Sequence, residues 1–195
     1  MEATSKENFK YADLLKFFQY ILRLKSVKRV GWVTKAKVYD GESVAEHSYG
    51  ACAVGMIMSD LIGLDTEKVM KMIILHDLAE SIIGDYVPGE VSPRKKRSEE
   101  YDAMNNILHS LPSDIRSTYK KIWNEFCYNK TCIAQFVHKV DKLEMALQAK
   151  EYSKRGIPDD LIAQFLDSAE NSIGKGNSDI VTGVLNALKT CNAKY

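Results

Sequence analysis

Little in this 195-residue chain leans to one extreme. There is no excess of one charge: 27 basic residues stand against 26 acidic ones, for a formal net charge of +1. A protein that coats nucleic acid shows a larger basic surplus, so no nucleic acid polymer is expected as a partner. No stretch reaches the roughly 18 apolar residues that a membrane span needs. The opening MEATSKENFK is polar and lacks the apolar core of a secretion signal. Cysteine is scarce: Cys52, Cys127, Cys132 and Cys191 form no CxxC pair. They read as reduced thiols of a cytoplasmic protein. Proline is equally rare, at Pro88, Pro93, Pro112 and Pro158, each between stretches of helical spacing. No internal repeat and no low-complexity segment occurs.

What is present is helical periodicity. Apolar residues recur at three and four, and no sustained alternation marks a strand. The apolar fraction of 45% is enough for one well-buried core, so a single all-α domain is expected. A first helix spans about Tyr11 to Lys25, with Leu14, Phe17, Phe18, Ile21 and Leu22 as its inward face. A basic, irregular segment follows to Asp40, with room for a short extended piece. Ser43-Val-Ala-Glu46 has the form of a capping box and opens a helix through Ile62. That helix is apolar around most of its circumference and therefore central. Asp65 or Thr66 caps a third helix, with Val69, Ile73, Ile74 and Leu78 inside, which Gly84 ends. Helices from Arg94 to Ser110, Pro112 to Phe126 and Thr131 to Tyr152 come next. Two short ones, about Asp159–Asn171 and Ser178–Leu188, finish the chain.

Chemistry gathers at a few positions. His76-Asp77 sits in the apolar run Met72-Ile-Ile-Leu-His-Asp-Leu-Ala-Glu80. Aspartate is poor inside a helix and is rarely buried unless paired or bound to metal. His47 lies in the first turn of the central helix. Asp141 lies three residues past His138, near the inward stripe of its helix. Each alone has a plain explanation, as a satisfied core histidine, a capping aspartate or a surface ion pair. Together, two imidazoles and two carboxylates from three helices make a mixed nitrogen and oxygen set. Such a set suits Mn²⁺, Fe²⁺, Co²⁺, Ni²⁺ or Zn²⁺ better than Ca²⁺, with Mg²⁺ also allowed. Glu80 follows at helical spacing from His76 and Asp77. Asp85 follows Gly84, where a helix C-terminus disfavours a carboxylate and something must offset it. The run Arg94-Lys-Lys-Arg97 is followed at once by Glu99 and Glu100, and reads as a solvated helix start whose charges could border a pocket.

The order His47, His76-Asp77, Asp141 resembles the HD-domain superfamily of metal-dependent phosphohydrolases, with its H…HD…D signature. The match is closer to the 5′-deoxynucleotidase branch, the YfbR and HD-domain-containing protein 2 type. It rests on Arg29-Val-Gly-Trp32, Glu42-Ser-Val-Ala-Glu-His-Ser48, His76-Asp-Leu-Ala-Glu80, Gly84-Asp85 and Lys139-Val-Asp-Lys-Leu-Glu144, in that order. It runs from about residue 14 to 152, and the C-terminal helices to about 190 carry no shared motif. The resemblance implies a single HD-type helical bundle and a homodimer. It implies His47, His76, Asp77 and Asp141 as metal ligands, and Arg29, Glu80 and Asp85 around a phosphate. Trp32 falls beside the arginine, where the family contacts the deoxyribose side. The implied reaction is hydrolysis of the 5′-phosphate of deoxyribonucleoside monophosphates. The alternatives are another HD reaction, on cyclic nucleotides or nucleoside triphosphates, or a helical module that kept its metal or nucleotide and lost catalysis.

Overall fold

The computed structural model describes residues 10–87, 89–175 and 179–190; Pro88, Ser178 and Cys191 lie outside them. Among the described residues ten α-helices follow one another: α1 (Tyr11–Arg23), α2 (Val30–Lys35), α3 (Val44–Ile62), α4 (Thr66–His76), α5 (Glu80–Ile83), α6 (Pro93–His109), α7 (Ser113–Tyr128), α8 (Cys132–Lys154), α9 (Asp159–Ile173) and α10 (Ile180–Thr190). The fold is all-α: among the described residues the only extended pairing is an isolated antiparallel bridge between Lys28 and Ser43.

The helix starts are written in short polar side chains. Ser43 Oγ accepts from the Glu46 amide, and Glu46 Oε2 takes the Ser43 amide at 2.6 Å, so the capping box forms. Asp65 and Thr131 cap α4 and α8 by accepting from Lys68 and Ala134 amides. Ser92 caps α6, with Pro93 at the first helical position.

The long helix α8 is the axle. It buries Ala134, Phe136, Val137, Val140, Leu143, Ala146, Ala149 and Tyr152, and α3, α4, α7, α9 and α10 all pack on it. Three expectations need correction. First, α1 buries Phe17 and Tyr20 but leaves Phe18, Ile21 and Leu22 exposed. Second, α3 is central on one face only, since Met56, Ile57, Leu61 and Ile62 face out, as does Ile74 of α4. Periodicity marks an apolar stripe but not what covers it. Third, the helix expected to run on to Gly84 is broken. α4 stops at His76, and Asp77 at φ −107°, ψ 11° leaves the helical well. After a tight turn the four-residue α5 begins at Glu80 and ends at Gly84, whose φ is 79°. The basic segment after α1 holds the six-residue helix α2, and at Lys28 the short extended pairing for which the sequence left room.

Candidate metal centre and phosphate pocket

The break after His76 builds the site. A continuous helix would aim Asp77 about 100° away from His76. The turn instead lets Asp77 Oδ2 lie 3.0 Å from His76 Nε2. From α3, His47 Nε2 approaches Asp141 Oδ1 of α8 to 3.2 Å and Asp77 Oδ2 to 3.9 Å. The two imidazoles are 5.5 Å apart between ring centres. The four residues read from the sequence as ligands therefore converge, from α3, α4, the turn and α8.

The histidine tautomers follow from their other nitrogens. His47 Nδ1 is hydrogen-bonded to Glu144, and His76 Nδ1 to the Ile73 carbonyl at 2.5 Å. With each Nδ1–H donated, each Nε2 keeps a lone pair. Both Nε2 atoms are buried and lack a hydrogen-bond partner. Unsatisfied buried nitrogens facing two carboxylates are the signature of a cation seat. The charges agree. Burial and then Arg29 oppose a charge on His47, yet Asp141 and Glu144 lift its pKa to about 9. Burial likewise works against ionised Asp77 and Asp141. His76 and His47 still hold Asp77 well below the usual range, and Lys142 and His47 do so for Asp141. The site calls for positive charge, and a divalent ion supplies it while leaving the rings neutral. The residues fit such an ion.

A second trio, Glu42, His47 and Glu144, also brings ligand atoms together, but it already holds a cation. Arg29 Nη1 sits 3.7 Å from Glu42 and 3.9 Å from Glu144. The backbone at Arg29 is fixed by its amide donating to the Glu42 carbonyl at 3.1 Å. Arg29 stays charged: burial opposes it, and Asp141, Asp77, Glu42 and Glu144 outweigh that.

Above the ligands opens a cavity of about 530 Å³, bordered by Arg29, His76, Asp77, Glu80, Asp85 and Asp141 among others. This is the volume of a small-molecule site. Asp85 is anchored: its Oδ2 accepts from the Val30 amide at 2.7 Å, at the start of α2. That N-terminal amide offsets the unfavourable position after α5. Burial pushes the Asp85 carboxyl up, with Val30 and Arg29 pulling back. Glu80 is pushed well above the usual range by burial, then by Asp77 and Asp85. Trp32 borders the cavity but is 1% exposed. Its ring stacks on Phe165 at 4.1 Å and meets Tyr152 edge-on, while Nε1 donates to Glu42 at 2.8 Å. It props the wall and holds Glu42 beside Arg29.

Sequence reasoning missed several residues here. Glu144 and Glu42 serve His47 and Arg29 from behind. Phe126 stacks on His138 at 4.1 Å and meets His76 edge-on. From α9 come Gln164, Phe165 and Ser168, and from α6 Glu100; Lys96 and Arg97 of the same helix do border the cavity, as the sequence allowed. Only the spacing of Glu144, three residues past Asp141, could have pointed to its role.

A family model described as HD domain matches residues 21–180. The human protein named 5′-deoxynucleotidase HDDC2 is 32% identical over 178 residues, 91% of this chain and 85% of that one. Its namesake in Dictyostelium discoideum is 36% identical over 152 residues, 74% and 80% of the two chains. Among solved structures, the PH0347 protein from Pyrococcus horikoshii OT3 superposes with a TM-score of 0.76 at 27% identity, covering 89% of this chain and 97% of that one. The matched span holds all four converging residues, and this chain belongs to the HD-domain family.

Proposed function

We propose that this chain is a metal-dependent phosphohydrolase that cleaves the 5′-phosphate of deoxyribonucleoside monophosphates, giving deoxynucleoside and inorganic phosphate. The observation that carries it is the pair of buried, unsatisfied imidazole nitrogens facing two carboxylates at the base of a cavity that also holds Arg29. Its relatives named 5′-deoxynucleotidase supply the substrate class.

His47, His76, Asp77 and Asp141 would hold the ion. Their nitrogen and oxygen donors favour Mn²⁺, Fe²⁺, Co²⁺, Ni²⁺ or Zn²⁺. When bound, such an ion makes water a better nucleophile at neutral pH and polarises a phosphoryl oxygen. The protein does the rest. Arg29 grips the phosphate dianion with its planar fork, in a place that Glu42 and Glu144 fix. Glu80, pushed towards its protonated form, gives its proton to the 5′-oxygen as the P–O bond breaks. Asp85, oriented by Val30, accepts the proton that the attacking water loses. Trp32 contributes to the sugar side through the wall that it supports with Phe165. Because α9 supplies Phe165 and Ser168 to the cavity that α2 and α4 to α8 border, the chain acts as one domain. Exposed apolar residues on α1 and α3 support a homodimer. Free thiols at Cys52, Cys127 and Cys132, and no described helix long and apolar enough to cross a membrane, suit a cytoplasmic enzyme.

The test is a phosphate-release screen of metal-loaded protein against dAMP, dGMP, dCMP, dTMP and dUMP, the matching ribonucleotides and deoxynucleoside triphosphates. Deoxynucleoside monophosphates should release phosphate best. Pyrophosphate or triphosphate release, with inert monophosphates, would reject the reading.

A further inference from the structure

The proposed chemistry leaves one charged motif unused, the basic run Arg94-Lys-Lys-Arg97. It does not behave as a uniform solvated helix start. Arg94 and Lys95 are exposed and away from the cavity, Arg97 is exposed at its border, and Lys96 is half-buried and borders it. Lys96 Nζ lies 3.6 Å from Glu100 Oε1, one turn further along α6. The charges of Glu80, Asp77 and Asp85 also reach it across the cavity. Glu80 and Asp85 in turn feel two cations, Arg29 and Lys96. The acidic pair of the pocket is thus served by positive charge from two separate elements, the N-cap of α2 and α6.

The two cations differ in freedom. Arg29 is buried against Glu42 and Glu144 and has nowhere to go. Lys96 has a flexible four-carbon stem and a loose partner. A charge-assisted hydrogen bond runs to about 2.7–2.9 Å, and the gap to Glu100 is well beyond that. Such half-exposed pairs hold weakly. Of the other cations that border the cavity, Arg97 is exposed, Lys35 lies at the far end of α2, and Lys142 is 3.0 Å from Asp141 and committed to it. A phosphate dianion entering a pocket lined by Asp77, Glu80, Asp85 and Glu100 needs more positive charge than Arg29 alone brings.

We propose that Lys96 is the second cation of the phosphate subsite: it leaves Glu100 and closes on the phosphate dianion from α6, while Arg29 holds it from the N-cap of α2. Glu100 is the resting partner that competes with phosphate for the ammonium. This rests on the reading of the cavity as a phosphate ester site.

The probe is inorganic phosphate, titrated by calorimetry into the Mn²⁺-supplemented protein, beside steady-state kinetics on a deoxynucleoside monophosphate. Lys96→Met should weaken phosphate binding and raise KM about tenfold, with kcat within about twofold. Lys96→Arg should recover part of the loss. Glu100→Gln should tighten phosphate several-fold, because it frees the ammonium. Lys95→Met, on the exposed side, should change neither. Wild-type phosphate affinity in Lys96→Met would overturn the proposal. So would equal loss in Lys95→Met, which would reveal a general field rather than a contact. Matched drops in Tm for Lys96→Met and Glu100→Gln with unchanged phosphate affinity would reduce the pair to a structural one. A wild-type protein that binds phosphate through Lys96 yet hydrolyses no monophosphate would sink the reaction instead and leave the role of Lys96 standing.

Discussion

At the scale of residues, the least visible part of the centre is the seat of Glu144. Its carboxylate holds His47 by Nδ1 and neighbours Arg29, so it ties the proposed metal ligand to the proposed phosphate-binding cation. Gly50, one helical turn beyond His47, makes the space. A Cβ there would lie 2.5 Å from Glu144 Oε1 and 3.1 Å from Cδ and Cγ. Partners behind a ligating histidine typically change metal affinity about 10- to 100-fold when lost. Glu144→Gln should therefore weaken Mn²⁺ binding by about that factor, and Gly50→Ala should do the same by pushing the carboxylate off its histidine. Calorimetric metal titration reads both, and unchanged affinity in both would remove Glu144 from the centre. His47, His76, Asp77 and Asp141 were legible because polar residues interrupt apolar runs there. Glu144 was not: its spacing from Asp141 puts it on the same flank, but its seat depends on a missing side chain 94 positions earlier in the chain, which helix periodicity does not show.

At the scale of elements, start signals were readable because they are local. Ser43, Asp65 and Thr131 each cap within three residues of themselves. The break at Asp77 was not, since Leu-His-Asp-Leu-Ala-Glu keeps helical spacing, and the turn comes from packing and from the pull of the site. The C-terminal helix α10 shows a local device with a tertiary tie. Asp179 Oδ1 accepts from the Thr182 amide at 2.9 Å, which caps α10, and Oδ2 pairs with Lys139 of α8. Burial opposes the Asp179 charge, but Lys139 and Thr182 bring its pKa down to about 2. Such a shift in a buried pair would be worth about 2.5 kcal/mol, which solvent screening at this partly exposed site reduces to about 1 kcal/mol. Because the folded pKa lies below the unfolded one, this stability is present above about pH 4 and is lost as pH falls towards 2. Asp179→Asn keeps a capping side chain and loses the charge. It should cost about 1 kcal/mol in urea unfolding at pH 7, with a gap that narrows steadily below pH 4. A gap that stays constant over that range would show that charge is not the cause.

At the scale of the whole molecule, the motifs named the parts, but only the fold shows how distant segments meet. The Tyr152 hydroxyl accepts from the Glu42 amide at 2.8 Å across 110 residues, and Phe165 reaches back to Trp32. No motif marked α9 as part of the pocket. The apolar surface left outside is the other feature that sequence pattern alone misjudged. On α3, His47 points inward at the first turn, while Ile57 and Leu61 point outward near the end, with Leu61 69% exposed. On α1, Leu15 and Leu22 are more than half exposed. A stable dimer buries about 800 Å² on each partner around a few apolar anchors. If these faces pair, light scattering on a sizing column should give twice the 22.0 kDa chain mass. Leu61→Glu would place a charge at the contact and raise the dimer Kd at least about 30-fold, the loss of one anchor of about 2 kcal/mol. Because Leu61 supports little of the monomer core, its replacement leaves the fold and the metal centre intact, so Mn²⁺ affinity should hold while the mass halves. A monomeric wild type, or a Leu61→Glu protein that stays dimeric, would assign those apolar faces to something other than a second copy.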